Sequence, residues 1–444
     1  MQSTVRYVGL DVHKETIVMA VAESNTSPAE VLTEVAYDVG VVLKQLRKLG
    51  PLSSLQVCYE AGPTGFSLQR HLAAAGVACL VIAPSLIPSQ SGNRIKTDRR
   101  DARKLAHFLR SGDLTAVYVP SEETEGIRDL ERARDDAKDA ERAARHQLGK
   151  FLLRQGRRYD GGHAWTGRHW RWIEDQKFAD VAQQRVLLDY VRTAQQATER
   201  IRLLDREIGT VVQTWSLSAV VRDLQAFYGI SLVTAVGLVA EVGDYHRFPG
   251  ADRFMSFVGL VPSESSSGGQ RRQGGITKTG NRHVRRLLVE AGWQYYRCPR
   301  LAPSAALLRR REGVPQAVID IADKARHRLM LRARVFKISG KSPKKSVIAL
   351  ARELAGFVWA AARRSMAASA AETGSEPKGH AQLSVMERGT QAGHSPPVRG
   401  TCRVVLQPEV REPHDTSPSP VGRRKRSGRA AARSSPKPKP NERC

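Results

Sequence analysis

Four acidic residues stand where a divalent cation could be held. Asp11 closes a short apolar strand, Tyr7-Val8-Gly9-Leu10-Asp11, and Glu60 ends Val57-Cys58-Tyr59-Glu60. Asp98 and Asp101 follow in Lys96-Thr97-Asp98-Arg99-Arg100-Asp101. On a helix, residues three apart share a face, and two carboxylates there repel each other unless a cation lies between them. Oxygen-rich sites suit Mg2+, with Mn2+ able to substitute. Two such ions about 4 Å apart can stabilise both the attacking and the leaving oxygen of a phosphodiester. A plainer use exists for each aspartate alone: Asp98 could cap a helix running from Arg99 to Arg110, with Asp101 favourable in its first turn.

The rest of the chain says what such a site would act on. With 71 Lys+Arg against 44 Asp+Glu, the 444 residues carry a net charge of +27 and a pI near 10.4. Neutralising phosphates and releasing their counterions drives sequence-independent binding, so the charge points to nucleic acid. No run of about 18 uncharged apolar residues and no charged-then-apolar leader is visible, which points away from a membrane and towards the cytoplasm. Cys58, Cys79, Cys298, Cys402 and Cys444 are scattered, with neither zinc spacing nor a disulfide framework.

These carboxylates need a scaffold, and residues 1–120 read as an α/β domain. Strands are expected at Tyr7 to Val12, Thr16 to Ala22, Glu34 to Tyr37, Leu55 to Glu60 and Ala78 to Ala83, with helices at Val41 to Leu49 and Phe66 to Ala75. Three early strands joined by tight turns, then strands alternating with helices, give a mixed sheet in the order of the ribonuclease H-like fold. Asp11 and Glu60 would then lie on neighbouring strands. A Gly-x-Asp strand before a hairpin also opens the actin-like kinases, but His13 and Lys14 stand here where those place glycine.

Residues 121–218 read as a helical arm. Leu187, Tyr190, Ala194, Ala197, Ile201, Leu204, Ile208 and Val211 step by three and four, a coiled-coil or long-hairpin seam, with Ile127 to Leu153 as the partner helix. Between them, Trp165 to Trp172 interleaves basic and aromatic residues. That pattern fits a nucleic-acid groove or three tryptophans turned into a core. A second, mostly helical unit at 219–365 surrounds a Ser/Gly-rich loop. Its Leu224 to Gly243 segment reads as helix, glycine turn and helix, either a phosphate-binding hairpin or core. From 366 to 444 the composition shifts: 10 of the 22 prolines lie after Ala367, and a basic, disordered tail is expected.

The loop is the second candidate site. Pro262-Ser263-Glu264-Ser265-Ser266-Ser267-Gly268-Gly269 is followed by Gly274-Gly275-Ile276-Thr277-Lys278-Thr279-Gly280-Asn281. A serine is a poor nucleophile until its proton is removed or its target polarised, so alone the loop reads as a linker. Arg271, Arg272 and Lys278 are placed to hold phosphates, and Asn281 begins a helix carrying Arg282, Arg285 and Arg286.

Taken in order, Tyr-Val-Gly-Leu-Asp-Val-His-Lys at 7–14, Tyr-Glu-Ala-Gly-Pro-Thr-Gly at 59–65, Lys-Thr-Asp-Arg-Arg-Asp-Ala at 96–102 and the Ser-Ser-Gly-Gly to Thr-Lys-Thr-Gly-Asn stretch at 266–281 resemble the DEDD transposases of bacterial insertion sequences, the IS one-ten and IS eleven-eleven group. The resemblance covers roughly residues 5–365. It implies a RuvC-like N-terminal domain whose Asp11, Glu60, Asp98 and Asp101 bind magnesium, and a serine before the Gly-Gly pair that attacks DNA. Ser267 is the match and Ser266 the alternative register. It further implies double-stranded donor and target DNA, a structured guide RNA that pairs with both, nucleoid association in a bacterial cytoplasm, and a homo-oligomer, dimer or tetramer, with active sites shared between protomers. Arg271, Arg272, Lys278, Asn281 and Arg285 would then position DNA. The tail after about residue 367 matches none of the family's motifs. A RuvC-like nuclease that uses water, and a nucleic-acid-binding relic that has lost activity, are the alternatives.

Overall fold

The computed structural model describes residues 5–88, 97–265, 272–297 and 302–373. The expected disorder of the tail, the Ser266 and Ser267 pair, Arg271, and the cysteines after position 79 lie outside them.

The sheet forms much as its alternation dictates. β1 (Arg6–Val12), β2 (Thr16–Ala22) and β3 (Glu30–Ala36) make an antiparallel meander. β3 starts four residues earlier than expected, because Val31, Thr33 and Val35 continue the period-two pattern of an edge strand. α1 (Val39–Lys48) is capped by Asp38, whose side chain accepts from the Val41 amide. Then β4 (Leu55–Glu60), α2 (Ser67–Ala74), β5 (Ala78–Ile82) and α3 (Asp98–Ser111) follow. The strand order is β3-β2-β1-β4-β5, with β4 parallel to β1 and to β5. One face buries Val8, Leu10, Val57 and Tyr59 beneath α1 and α2; the other is covered by α3 through Ala102, Leu105, Ala106 and Leu109.

α4 (Glu122–Arg154), α5 (Gly167–Glu174) and α6 (Val181–Val211) make the arm. Leu187, Ala194, Ile201 and Ile208 are the buried positions of α6, seven residues apart, and Ala137, Ala144 and Phe151 repeat at the same interval on α4. Contacts at Arg134–Asp205, Glu141–Thr198 and Phe151–Tyr190 show the two helices running antiparallel. The seam expected on α6 is therefore satisfied within the chain. Trp165, Trp170 and Trp172 pack partly buried around the core at the arm's outer end.

The remaining elements are α7 (Ser218–Leu224), α8 (Leu232–Val242), α9 (Ala251–Phe257), β6 (Pro262–Glu264), β7 (Gln273–Ile276), α10 (Arg282–Arg297), α11 (Ala305–Arg310), α12 (Gln316–Ile338) and α13 (Pro343–Thr373). α8 is buried from Ala235 through Val242, so the helix-turn-helix at 224–243 is core. α13 runs past the compositional break at 366 to Thr373, since Ala and Met there sustain a helix as well as the residues before them. Ile127 and Ile208, at the arm's inner end, share the core of this helical unit. α4 also reaches the sheet domain, where Arg70 of α2 pairs with Glu125 and donates to the Pro120 carbonyl.

Candidate functional site

Asp11 lies at the C-terminal end of β1. Because Leu10 pairs with Tyr59, the next register step sets Asp11 beside Glu60 of β4. Period-two alternation puts both on the same face as Gly9 and Cys58, the face on which α3 packs. α3 begins at this edge. Thr97, not Asp98, is its cap: its side chain accepts from the Arg100 amide, and Asp98 and Asp101 occupy the first helical turn. Asp98 lies one turn before Ala102, so the stripe that seats the helix on β1 carries its acids towards Asp11.

The convergence is tightest at three residues. His13 Nε2 stands 3.3 Å from Asp11 Oδ2 and 3.5 Å from Asp98 Oδ1. Single ligand atoms of Asp11, His13 and Asp98 all fall within 4.8 Å of one another. Burial raises the Asp11 carboxyl above its ordinary range; the imidazole of His13 pulls it back, while Asp98 and Asp101 push it further up. A half-buried carboxylate crowded by two others is stabilised by a cation, and two carboxylates with an imidazole are donors that a divalent metal accepts. This group can hold a divalent metal ion. Glu60 shares the face but is exposed and stands outside the tight group, and Asp101 acts on Asp11 through its charge.

His13 was not among the expected ligands. Its signal was present: in extended backbone, residues two apart point the same way, and His13 follows Asp11 by two. Cys58 and Cys79 are free and buried, and burial pushes both thiols up, that of Cys79 to about 12. Neither belongs to the site.

The described residues on either side of the serines pair with each other. β6 and β7 form an antiparallel ribbon, with Pro262 opposite Ile276, Glu264 opposite Gln273, and the Ser265 amide donating to the Arg272 carbonyl. Its base is clamped to the end of α9: Thr277 N donates to Val261 O, Lys278 N to Gly259 O, and Asn281 N to Phe257 O. Gly280 has φ +69, and a side chain there would run into the Phe257 carbonyl. Lys278 is held at φ +58, a left-handed conformation uncommon for a non-glycine residue.

The five residues expected to face DNA divide. Arg272 and Lys278 are exposed, and Arg271 lies outside the described residues. Arg285 turns inward, donating through Nη1 to the carbonyls of Val258 and Thr279. Asn281 also turns inward: Oδ1 accepts from the Val284 amide, capping α10, and Nδ2 donates to Glu241 Oε2 at 2.7 Å. Glu241 is buried on α8 and takes a two-point contact from Arg132 of α4, at 2.7 and 3.2 Å. Burial alone would raise the Glu241 carboxyl; the hydrogen bonds from Arg132 and Asn281 outweigh it and hold the group below its ordinary range. Beside it, His283 Nε2 lies 2.7 Å from the buried Glu131, and Arg286 pairs with Asp135 at 2.7 Å. The start of α10 is thus bolted to the arm.

Two family models match the chain, one described as a DEDD transposase model over residues 8–155, the other as the transposase IS116/IS110/IS902 family over residues 221–306. The first spans the acids, the second the ribbon. A putative transposase, y4qE, of Sinorhizobium fredii is 43% identical over 361 residues, covering 80% of this chain and 88% of that protein. The transposase for insertion sequence element IS1533 of Leptospira borgpetersenii is 32% identical over 332 residues, 74% of this chain and 95% of its relative. A probable family 20 transposase of Pseudomonas aeruginosa is 30% identical over 249 residues, 54% of this chain and 71% of that protein. Among the described residues no helix is long and apolar enough to cross a membrane. With acids and ribbon both falling within matched segments, the chain belongs to the IS110-type DEDD family of insertion-sequence transposases, enzymes that act on DNA.

Proposed function

We propose that this transposase excises and inserts its element by serine attack on a phosphodiester, in a RuvC-like, ribonuclease H-like domain supported by the β3-β2-β1-β4-β5 strand order. The observation that carries the reading is the convergence of Asp11 and Asp98 on His13, in a chain whose second matched segment holds the serine ribbon.

Asp11 and Asp98, with Glu60 and Asp101 around them, hold Mg2+, and Mn2+ can replace it. When bound, such an ion polarises the scissile phosphate and neutralises developing charge. The Ser267 hydroxyl, with Ser266 as the other register, attacks phosphorus. A P–Oγ bond forms as the bond to one sugar oxygen breaks, and that oxygen takes up a proton. A second sugar hydroxyl then attacks the phosphoserine, breaking P–Oγ and returning the proton to serine. One phosphodiester is consumed and one made, so no external energy source is needed. Arg271, Arg272 and Lys278 hold backbone, while Asn281 and Arg285 hold the ribbon that carries the serine.

Joining two DNAs calls for an oligomer, dimer or tetramer. Since α6 spends its seam on α4, assembly uses another surface. A structured guide RNA would select the sites, and the net charge of +27 suits such a partner. The test compares Ser267→Ala and Asp11→Asn in a strand-transfer assay with donor DNA, target DNA, guide RNA and Mg2+. Loss in both supports the reading. Full transfer by Ser267→Ala would move the role to Ser266, and full transfer by the Ser266→Ala/Ser267→Ala double variant would replace serine with water as the nucleophile.

A further inference from the structure

The arm carries its charge unevenly. From Glu122 to Asp136, α4 and its first turns hold seven acids against three arginines; from Glu141 to Arg158 the chain holds six Arg and Lys against one acid. The acidic half is the part bolted to α8 and α10 through Glu131, Arg132 and Asp135. The basic half reaches the arm's outer end, where nothing in the proposed reaction uses it.

There the surface is concave. A cavity of about 550 Å³ is lined by Lys138, Arg142, Arg145, His146, Lys150 and Trp165, within the range of small-molecule and nucleotide pockets. The one acid in its wall, Glu141, is already engaged: its Oε1 takes Arg145 at 2.7 Å and the Thr198 hydroxyl at 2.7 Å. Arg142 pairs at 2.7 Å with Asp139, an exposed pair that a phosphate can displace, so the cavity wall still carries a net positive charge.

Trp165 is held there at some conformational cost. Its φ is +64, a region that bulky residues rarely enter. Its amide donates to His169 Nδ1 at 2.8 Å, and His169 is itself buried and stacked on Trp172 at 5.6 Å. The Arg145 guanidinium lies 5.5 Å from the Trp165 ring centroid. An indole and a guanidinium fixed beside a cluster of lysines and arginines is the combination that takes unpaired nucleotides. The bases stack on flat groups, and the cations track the backbone.

We propose that the outer end of the arm is a binding site for an unpaired nucleotide of single-stranded nucleic acid, its base resting on the Trp165–Arg145 platform and its phosphates held by Lys138, Arg142 and Lys150. A duplex buries its base faces in its own stack and cannot seat a base on the platform, the contact that brings phosphates within reach of Lys138, Arg142 and Lys150, so the site discriminates between strands. This site is independent of which group attacks the scissile phosphate.

The test uses the full chain with labelled single-stranded RNA, single-stranded DNA and blunt duplex DNA of equal length. Arg142 and Lys150 are exposed, so the double variant R142Q/K150Q leaves the fold intact. It is expected to weaken single-strand binding roughly tenfold and reduce its salt dependence, with duplex binding within about twofold. W165F should retain more affinity than W165A. Because W165A could disturb the arm's core, a measurement on the unaltered chain stands beside it. Strands carrying 5-iodouracil at an unpaired position are cross-linked by light, and the peptide is identified by mass spectrometry. Cross-links to Trp165 with RNA alone, DNA alone or both support the site and say which strand it takes. Cross-links confined to regions outside the arm, or an equal loss of duplex and single-strand binding in R142Q/K150Q, overturn it.

Discussion

Ala102 of α3 lies so close over Gly9 of β1 that a methyl group built on Gly9 would come within 2.3 Å of the Ala102 carbonyl oxygen and 2.5 Å of the Ala106 amide nitrogen. Backbone rests on backbone, with no side chain between. Gly9 precedes Asp11 by two residues on the strand, and Ala102 follows Asp98 by one helical turn, so this contact sets the distance between the two carboxylates. Glycine in a strand often marks such an approach. Gly9→Val should lift α3 from the sheet, lower stability by about 1–3 kcal/mol, and abolish DNA cleavage even where the protein still folds. A thermal melt run alongside a cleavage assay checks both.

His13 offers a nitrogen donor to an otherwise oxygen-rich group. Imidazole suits transition metals better than magnesium. His13→Ala is therefore expected to weaken Mn2+ binding roughly tenfold while leaving Mg2+ binding nearly unchanged, and Asp11→Asn to weaken both. Titration calorimetry with each ion measures this directly. Equal losses for the two ions in His13→Ala would remove the histidine from the coordination sphere.

Asn281 is committed to Glu241 and to the cap of α10. Asn281→Ala takes a donor from a buried carboxylate and a cap from a helix, so it should cost about 1–3 kcal/mol of stability. DNA affinity of the folded fraction should change less than twofold. Lys278→Ala, on an exposed side chain, should do the reverse. Chemical denaturation and filter binding on the same two variants separate the roles.

The bolt between arm and ribbon also has a pH signature. Burial lowers the His283 imidazole, but its contact with Glu131, reinforced by Glu241, wins over that and over the repulsion of Arg286, so the imidazole is held above its ordinary range. A group raised in the folded state contributes stability that is complete below its unfolded value and is lost as pH rises through the folded one. Glu241, held low, contributes the opposite limb: its share is present above the ordinary carboxylate range and lost as pH falls through the folded value. With Asp135 also facing His283, the melting temperature should fall as pH rises above neutrality. His283→Gln should flatten that limb alone.

Much of this was legible in the residues. The five strands follow from period-two alternation between turn residues, and the arm from apolar residues seven apart, because burial against one neighbour is all that either pattern requires. The placement of Asp98 and Asp101 was legible too, since they stand in the first turn of an amphipathic helix that must seat on the sheet. What the sequence could not reveal depends on contacts distant in the chain. Pro262-Ser263-Glu264 and Gln273-Gly274-Gly275-Ile276 have little strand propensity, and their ribbon exists because Thr277, Lys278 and Asn281 pin its base to α9. Asn281 and Arg285 looked like DNA contacts because nothing local says whether a polar side chain turns outward or inward; Asn281 meets the buried Glu241 forty residues away, and Arg285 meets the carbonyls of Val258 and Thr279.

If the acids and the serine ribbon form one reaction centre, covalent capture of DNA on the serine depends on the acids. The full chain is incubated with end-labelled donor DNA, guide RNA and Mg2+, denatured, and digested for mass spectrometry. A denaturation-resistant DNA adduct is expected on the peptide containing Ser266 and Ser267, absent when Mg2+ is removed and absent from Asp11→Asn and Asp98→Asn. Cleaved DNA with no adduct, or an adduct that forms undiminished in Asp11→Asn, would contradict it.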